Sequence, residues 1–263
     1  MKKNQVISLN IFYLFFLFLF LLFILNLSSC TKNNKDIYEN WPAEKIYTAG
    51  HQYLKKGGYN DAIKAYESLN AQYPFSPPSK NGDLELIYAY YLSGDSAMSL
   101  AAASRYIKLY PNDPNAAYAY YMAGIVEFNN GRSLLEKYLP YQMSAHQSDN
   151  YLAAFNSFKQ VLILFPNSPY TQNARRRMVY LNNTLAAHNL EIANYYFNQK
   201  AYVASAARSL EVIQQYPNTP AALQAMALLE KNYTALHLTS LVDQATLYYQ
   251  TNLNNLNNLN IKK

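Results

Sequence analysis

Residues 50–74 decide the fold, and they read GHQYLKKGGYNDAIKAYESLNAQYP. Gly50 and Ala62 are small enough to let two antiparallel helices approach closely, one residue on each helix. The bulky side chains expected to fill the space between these helices are Tyr53, Tyr59 and Tyr66. Pro74 cannot continue a helix, so the chain has to turn there. The stretch therefore predicts a helical hairpin with its turn at Gly57.

An aromatic residue followed by proline recurs along the chain and marks the ends of further hairpins. The four dipeptides are Tyr73-Pro74, Tyr110-Pro111, Phe165-Pro166 and Tyr216-Pro217. The first interval is 37 residues (111 minus 74). That interval is close to the roughly 34-residue tetratricopeptide period, and the later ones are long enough for inserted turns. The pattern of residues 50–74 is also that of a tetratricopeptide helix pair.

Weaker copies of the pattern precede the later prolines. Their matching residues are Tyr90, Gly94, Tyr106, Tyr151, Ala154, Phe158, Val161, Ala193, Tyr196, Tyr202 and Val212. A last pair is predicted at 220–232 and 236–249. We therefore expect an all-α fold, a right-handed superhelix of about five tetratricopeptide helix pairs over residues 44–250. Its N-terminal half is predicted at about 44–166 and its C-terminal half at about 167–250.

Three features depart from a regular array. The stretch 131–149 contains Pro140 and is predicted to be an irregular loop inside the third pair. Residues 170–199 are predicted to form one extended helix that joins the two halves. The tail 251–263 repeats Asn-Asn-Leu and is predicted to be disordered.

The N-terminus has the pattern of a bacterial lipoprotein signal. Lys2 and Lys3 precede an apolar run over 11–25, and small residues lead to Cys30, the single cysteine of the chain. We predict a signal peptide over 1–29, acylation of Cys30, and an N-terminal linker over 30–43. The alternative is an uncleaved transmembrane helix, which needs about 20 apolar residues.

Charge and composition narrow the class of partner. Removing Lys2 and Lys3 lowers the net charge from +6 to +4, with 20 basic against 16 acidic residues. This small excess, on an exported protein, predicts no nucleic-acid partner and leaves acidic protein surfaces or lipid headgroups open. The 27 tyrosines and only 7 glycines suit helices that pack through aromatic side chains.

The segments around these turns are similar to one lipoprotein family. Residues 73–77 (YPFSP), 86–91 (LIYAYY), 105–111 (RYIKLYP), 166–171 (PNSPYT) and 202–208 (YVASAAR) occur in this order. In this the chain resembles the BamD family (also called ComL or YfiO) of outer-membrane barrel-assembly lipoproteins, over essentially the whole mature chain.

The resemblance implies a non-enzymatic scaffold of the β-barrel assembly (BAM) complex. In that family the C-terminal repeats bind a periplasmic POTRA domain of BamA, and Arg208 falls where the family carries an arginine at this contact. The N-terminal repeats bind BamC and unfolded β-barrel precursors. Thr31, rather than Asp, follows the acylated cysteine, which favours sorting to the periplasmic side of the outer membrane. An ordinary solvated arginine is the alternative for Arg208.

A second site is predicted in the N-terminal half. Tyr73, Pro74, Phe75 and Tyr90 would line a groove for an extended, aromatic-rich chain end, because aromatic side chains bind such ligands with little loss of entropy. Core packing is the alternative for each aromatic ring. The family carries an Asp- and Arg-rich stretch in the loop that corresponds to 131–149, whereas residues 138–147 of this chain (YLPYQMSAHQ) contain no Asp, Glu, Lys or Arg, so interactions that depend on those charges do not carry over.

Nothing in the sequence predicts catalysis, a metal site or a cofactor. His51, His146, His188 and His237 are scattered, and the run Arg175 to Arg177 points to different faces of a helix. Two other functions stay open: a tetratricopeptide pilotin or envelope adaptor for a secretin or peptidoglycan-related machine, and an exported hydrolase on a helical frame.

Overall fold

The computed structural model describes residues 36–130 and 145–261, and it divides the chain into two units, Met1–Asn40 and Trp41–Lys263. Cys30 and the signal segment lie outside the described residues. In the first unit, Asp36 Oδ1 accepts a hydrogen bond from the Tyr38 amide at 3.0 Å. In the second unit the described residues form ten α-helices and no strand, which confirms the all-α prediction.

The helices follow one another as antiparallel neighbours. They are α1 (Ala43–Lys55), α2 (Tyr59–Gln72), α3 (Pro77–Ser93), α4 (Ser96–Leu109), α5 (Ala116–Asn130), α6 (Ala145–Leu164), α7 (Thr171–Asn198), α8 (Tyr202–Gln215), α9 (Pro220–Ala235) and α10 (Thr239–Ile261). Each packs on the next, and α1 also contacts α3, α3 contacts α5, and α7 contacts α9. This is the stacking of tetratricopeptide helix pairs into a superhelix.

Capping residues mark the ends of several helices. Ser76 Oγ accepts from the Ser79 amide at 3.2 Å and Thr219 Oγ1 accepts from the Ala222 amide at 3.1 Å, each with a proline in the first turn. Asp95 Oδ1 accepts from the Met98 amide at 3.0 Å. Gly94, at φ 86°, ends α3 in the left-handed region that favours glycine. The turn residues of the sequence pattern thus have local physical roles.

The close approach predicted at Gly50 is real, and the third pair repeats it. A Cβ added to Gly50 would lie 2.6 Å from Tyr66 Cε1, and one added to Gly124 would lie 2.6 Å from Phe158 Cε1. Tyr66 and Phe158 are completely buried. Glycine on one helix and a large ring on the other therefore set the distance between helices in both pairs.

Three local expectations differ from the structure. Tyr53 is 37% exposed instead of filling the first pair, because Tyr66 alone occupies the space beside Gly50. Residues 145–149, predicted as part of a loop, belong to α6, which begins after the proline-containing segment. The predicted disordered tail continues α10 as far as Ile261, since its Asn-Asn-Leu repeat contains no glycine or proline to end a helix.

Candidate partner-binding surfaces

Arg208 lies on α8 with its side chain accessible. Its Nη1 donates to Glu211 Oε2 at 2.8 Å, one turn along the helix, and both side chains keep contact with solvent. Exposed ion pairs of this kind contribute about 0–1 kcal/mol, so a carboxylate on another protein can compete with Glu211 for the guanidinium. The pair therefore leaves Arg208 available to a partner.

An apolar stripe runs beside Arg208 on the same helix. Val203 is 70% exposed, Leu210 is 37% exposed, and Ala207 between them is also exposed. Residues four and then three apart lie on one helical face, so the three side chains form a continuous strip. Arginine is enriched at protein interfaces, and the fully buried centre of an interface is more apolar than the rest of the surface.

Tyr90 lies in a cleft of the N-terminal half. The cleft has a volume of about 520 Å³, with Leu86 and Tyr90 of α3 between residues of α2 and α4. Its other lining residues are Glu67, Asn70, Ala71, Met98, Ala101, Ala102 and Arg105. Tyr90 is buried and donates to Glu67 Oε1; burial, followed by this hydrogen bond, raises the pKa of Tyr90. The cleft therefore offers small apolar side chains between one acidic and one basic group.

A buried carboxylate holds that basic group in place. Arg105 Nη2 donates to Asp83 Oδ1, and Asn70 Nδ2 donates to the same oxygen at 2.7 Å. Burial raises the pKa of Asp83, against the lowering effect of Arg105 and Asn70. Arg105 remains partly exposed, so its position in the cleft is fixed while one side of its guanidinium still faces solvent.

The other three residues of the predicted groove lie elsewhere. Tyr73, Pro74 and Phe75 form the turn between α2 and α3, and none of them lines the cleft at Tyr90. Tyr73 is half-buried, and its hydroxyl donates to the Trp41 carbonyl at 2.8 Å. Phe75 is 73% exposed with φ 64°. The structure thus gives Tyr90 a groove and gives Phe75 a protruding position at a turn.

Glu85 is the centre of a polar cluster that the sequence did not indicate. Its Oε1 accepts from the Tyr47 hydroxyl at 2.9 Å, its Oε2 accepts from the Tyr66 hydroxyl, and His51 Nδ1 lies 2.9 Å from both oxygens. Burial, then the bond to Glu85, raises the pKa of Tyr47 to about 12. These residues come from α1, α2 and α3, so no local spacing could have revealed the cluster.

The three consecutive arginines of α7 lie on different faces of the helix, as predicted. Arg175 and Arg176 are exposed, whereas Arg177 is half-buried, with its guanidinium 5.3 Å from the centre of the Phe128 ring. Arg177 Nε also donates to Asn173 Oδ1 at 2.9 Å. The third arginine therefore belongs to the packing between α5 and α7, and the first two remain surface charges.

The described ranges, 36–130 and 145–261, contain neither a candidate metal-binding cluster nor a helix that could span a membrane. There, no three histidine, cysteine, aspartate or glutamate side chains are placed to hold a metal ion. No described helix combines the length and the apolar character that crossing a bilayer requires.

Comparisons with known proteins agree along most of the chain. The YfiO family model, described as "Outer membrane lipoprotein", matches residues 39–247. The chain is 33% identical over 214 residues to the "Outer membrane protein assembly factor BamD" of Haemophilus influenzae, covering 81% of each protein. It is 33% identical over 233 residues to the protein of the same name from Neisseria gonorrhoeae, covering 87% of each.

Among solved structures, the chain is similar to the "TPR2AB-domain:pHSP90-complex of yeast Sti1". The TM-score is 0.42 at 12% identity, over 74% of this chain and 70% of that one. The family model, by contrast, matches a range that includes the helices that carry the Arg208 surface and the Tyr90 cleft. The chain belongs to the BamD (YfiO) family of outer membrane lipoproteins.

Proposed function

We propose that this protein is a non-enzymatic scaffold of the BAM complex that assists insertion of β-barrel proteins into the outer membrane. The observation that carries the proposal is the match of residues 39–247, with relatives that bear the name of outer membrane protein assembly factor. A superhelix of stacked helix pairs suits this role, because its curvature creates extended concave surfaces for binding.

The surface around Arg208 is the proposed contact with a POTRA domain of BamA. Its support is the accessible guanidinium, the weak exposed pair with Glu211, and the apolar stripe formed by Val203, Ala207 and Leu210. Partial desolvation strengthens a charge pair across such an interface, and truncating one partner then costs about 2–5 kcal/mol.

The N-terminal half is the proposed place for other partners. The cleft at Tyr90, with Glu67 and Arg105 at its sides, fits an extended segment that has both apolar and charged side chains. BamC and unfolded barrel precursors are the partners that the family resemblance implies for this half.

Acylated Cys30 is the proposed anchor on the periplasmic side of the outer membrane. Each buried methylene of an acyl chain contributes about 0.8 kcal/mol, so several chains on one residue hold a helical domain at a bilayer without a spanning helix. The signal pattern ending at Cys30 is the support for this anchor.

A pull-down tests the BamA contact. The mature chain, tagged at its C-terminus, is incubated with solubilised outer membrane, and BamA is identified by mass spectrometry. We expect wild type to recover BamA and Arg208→Glu to lose at least ten-fold, the effect of about 1.4 kcal/mol. Arg176→Glu is the matched control, because it makes the same charge change at an exposed position of α7.

Circular dichroism confirms that each variant is folded, and Arg208→Leu separates loss of the charge from new repulsion with Glu211. Equal recovery of BamA by wild type and both Arg208 variants would contradict the proposed contact. Recovery of a secretin or a peptidoglycan enzyme in place of BamA would instead support the adaptor function.

A further inference from the structure

Three interhelical contacts join successive turns into one edge of the superhelix. The Tyr73 hydroxyl donates to the Trp41 carbonyl, which ties the end of α2 to the chain that leads into α1. Lys80 pairs with Asp113, which ties the start of α3 to the turn before α5. The rings of Tyr118 and Tyr170 lie 5.6 Å apart and tie the start of α5 to the turn before α7. We name Trp41 with residues 73–80, 109–118 and 163–170 the turn edge.

Large apolar side chains protrude from the turn edge. Phe75 is 73% exposed, Leu109 is 42% exposed and Leu164 is 50% exposed. Leu109 and Leu164 each precede the aromatic residue of an aromatic-proline dipeptide, and the equivalent residues of the other two turns are Gln72 and Gln215. The fold accepts glutamine at this position, so the turn geometry does not require the exposed leucines.

The backbone at Phe75 also indicates that the exposed apolar side chains of the turn edge are not required by the turn geometry. Its φ of 64° lies in the left-handed region, where a bulky residue is an outlier. The equivalent residue after Tyr216-Pro217 is Asn218, with φ 63°, and asparagine tolerates this conformation well. An exposed phenylalanine held against its backbone preference indicates a use for the side chain itself.

The path of the chain indicates what lies against this edge. Trp41 is on the turn edge and follows Cys30 by 11 residues (41 minus 30). Eleven residues span at most about 38 Å, so an acylated Cys30 keeps this edge near the bilayer. Lys45 Nζ lies 3.8 Å from the centre of the Trp41 ring, and Lys108 is exposed in the last turn of α4. The acidic residues in these segments are Glu44, which precedes Lys45 in the first turn of α1, and Asp113, which is paired with Lys80.

We infer that the turn edge rests on the lipid bilayer, with Phe75, Leu109 and Leu164 entering the headgroup region and Lys45 and Lys108 meeting lipid phosphates. Membrane surfaces favour this combination of apolar and basic side chains. The contact can be weak by itself, because an acyl anchor makes it effectively intramolecular. The inference rests on the lipid anchor of the proposed function, and it adds a defined orientation of the superhelix towards the membrane.

Fluorescence provides a direct test, because Trp41 is the only tryptophan in the chain. The acylated full chain is reconstituted into phosphatidylcholine vesicles that contain phosphatidylglycerol, with and without lipids brominated on their acyl chains. Trp41→Phe/Phe75→Trp moves the probe within the turn edge, from Trp41 to the protruding position 75. Trp41→Phe/Lys56→Trp moves it to the opposite end of α1, about 20 Å away at the helical rise per residue.

We expect brominated lipid to quench the tryptophan at position 75 severalfold more than the one at position 56. In the chain that retains Trp41, replacing Phe75 by Asn and both leucines by Gln, the residues of the equivalent turns, should lower the quenching of Trp41. Circular dichroism checks that this triple variant is folded.

Three results would overturn the inference. Chains that float with the vesicles but show equal quenching at positions 75 and 56, or none at either, would leave the anchor standing and remove the turn-edge contact. Chains that do not float at all would remove the anchor and the contact together. Reduced quenching at position 75 only when BamA is added would show that a protein covers this edge in the complex, against the inference.

Discussion

At the scale of single residues, the superhelix depends on pairs of side chains whose sizes complement each other. Gly50 lies against Tyr66 and Gly124 lies against Phe158, in each case with no room for a methyl group. Glycine inside a helix is unfavourable by about 0.5–1 kcal/mol relative to alanine. These two glycines therefore indicate that helix packing outweighs helix propensity at their positions.

Gly124→Ala should destabilise the protein, although the same change stabilises most helix interiors. The new Cβ would meet Phe158 at 2.6 Å, and that ring is fully buried and cannot move away. We expect the free energy of unfolding to fall by about 1–3 kcal/mol, the usual cost of overpacking. Urea unfolding followed by circular dichroism measures the change. Gly124→Ala/Phe158→Leu should recover part of the loss, and a stabilising effect of Gly124→Ala alone would contradict the packing account.

Phe75→Asn should stabilise the protein. Asparagine tolerates the left-handed backbone that Phe75 adopts at φ 64°, and the exposed ring makes few contacts to lose. We expect a gain of about 0.5–1 kcal/mol in thermal or urea unfolding of the detergent-solubilised chain. The reverse change at the equivalent turn, Asn218→Phe, should lower stability by a similar amount. A loss of stability in Phe75→Asn would show that the ring has a packing role within the superhelix.

At the scale of elements, polar contacts fix how one helix pair sits on the next. Lys80 on α3 pairs with Asp113 in the turn before α5, and Asp113 also accepts from the Asn115 amide at 2.7 Å. Burial would raise the pKa of Asp113, but the hydrogen bonds from Lys80 and Asn115 outweigh it and lower the pKa. The contact therefore joins the second pair to the third through a charge that folding stabilises.

This lowered pKa predicts a dependence on pH. A carboxyl whose folded pKa is below its unfolded value of about 3.9 stabilises the fold above that pH and loses this effect as pH falls through the folded pKa. Asp113→Asn keeps a side-chain oxygen that can accept from the Asn115 amide, but it removes the negative charge. We expect it to cost about 1 kcal/mol near pH 7 and progressively less below about pH 4. Urea unfolding of both chains over a pH series measures the difference. A difference that stayed constant down to about pH 2 would contradict the lowered pKa.

The elements also show which parts of the fold a single sequence can predict. Aromatic-proline dipeptides and the small residues at Gly50 and Ala62 act through neighbours in the chain and through a fixed period, so the helix pairs could be read from them. The cluster on Glu85 joins α1, α2 and α3, and no local pattern carries such a contact.

The predicted groove shows the same difference between local patterns, which a sequence predicts, and contacts between separate helices, which it does not. Tyr90 lines a cleft, whereas Tyr73 and Phe75 lie at a turn that does not line it, so the four residues do not form one groove. The prediction grouped these side chains because they are near one another in the sequence. Tyr90, however, lies 13 residues along α3 from Pro77, which places it about 20 Å from the turn.

At the scale of the whole molecule, the proposed partner surfaces and the turn edge lie on different parts of the superhelix. The Arg208 surface belongs to the C-terminal half and the Tyr90 cleft to the N-terminal half, so the two proposed partner contacts lie on different helices. The turn edge is a third surface, and in our account it faces the bilayer.

Depleting the protein from its native cell tests whether it assists insertion of β-barrel proteins. The measurement is the amount of folded barrel protein in the outer membrane, read from its heat-dependent mobility on gels. We predict that depletion lowers this amount, that a plasmid copy of the wild-type chain restores it, and that Cys30→Ala and Arg208→Glu restore less. Unchanged levels of folded barrel proteins after complete depletion would contradict the account.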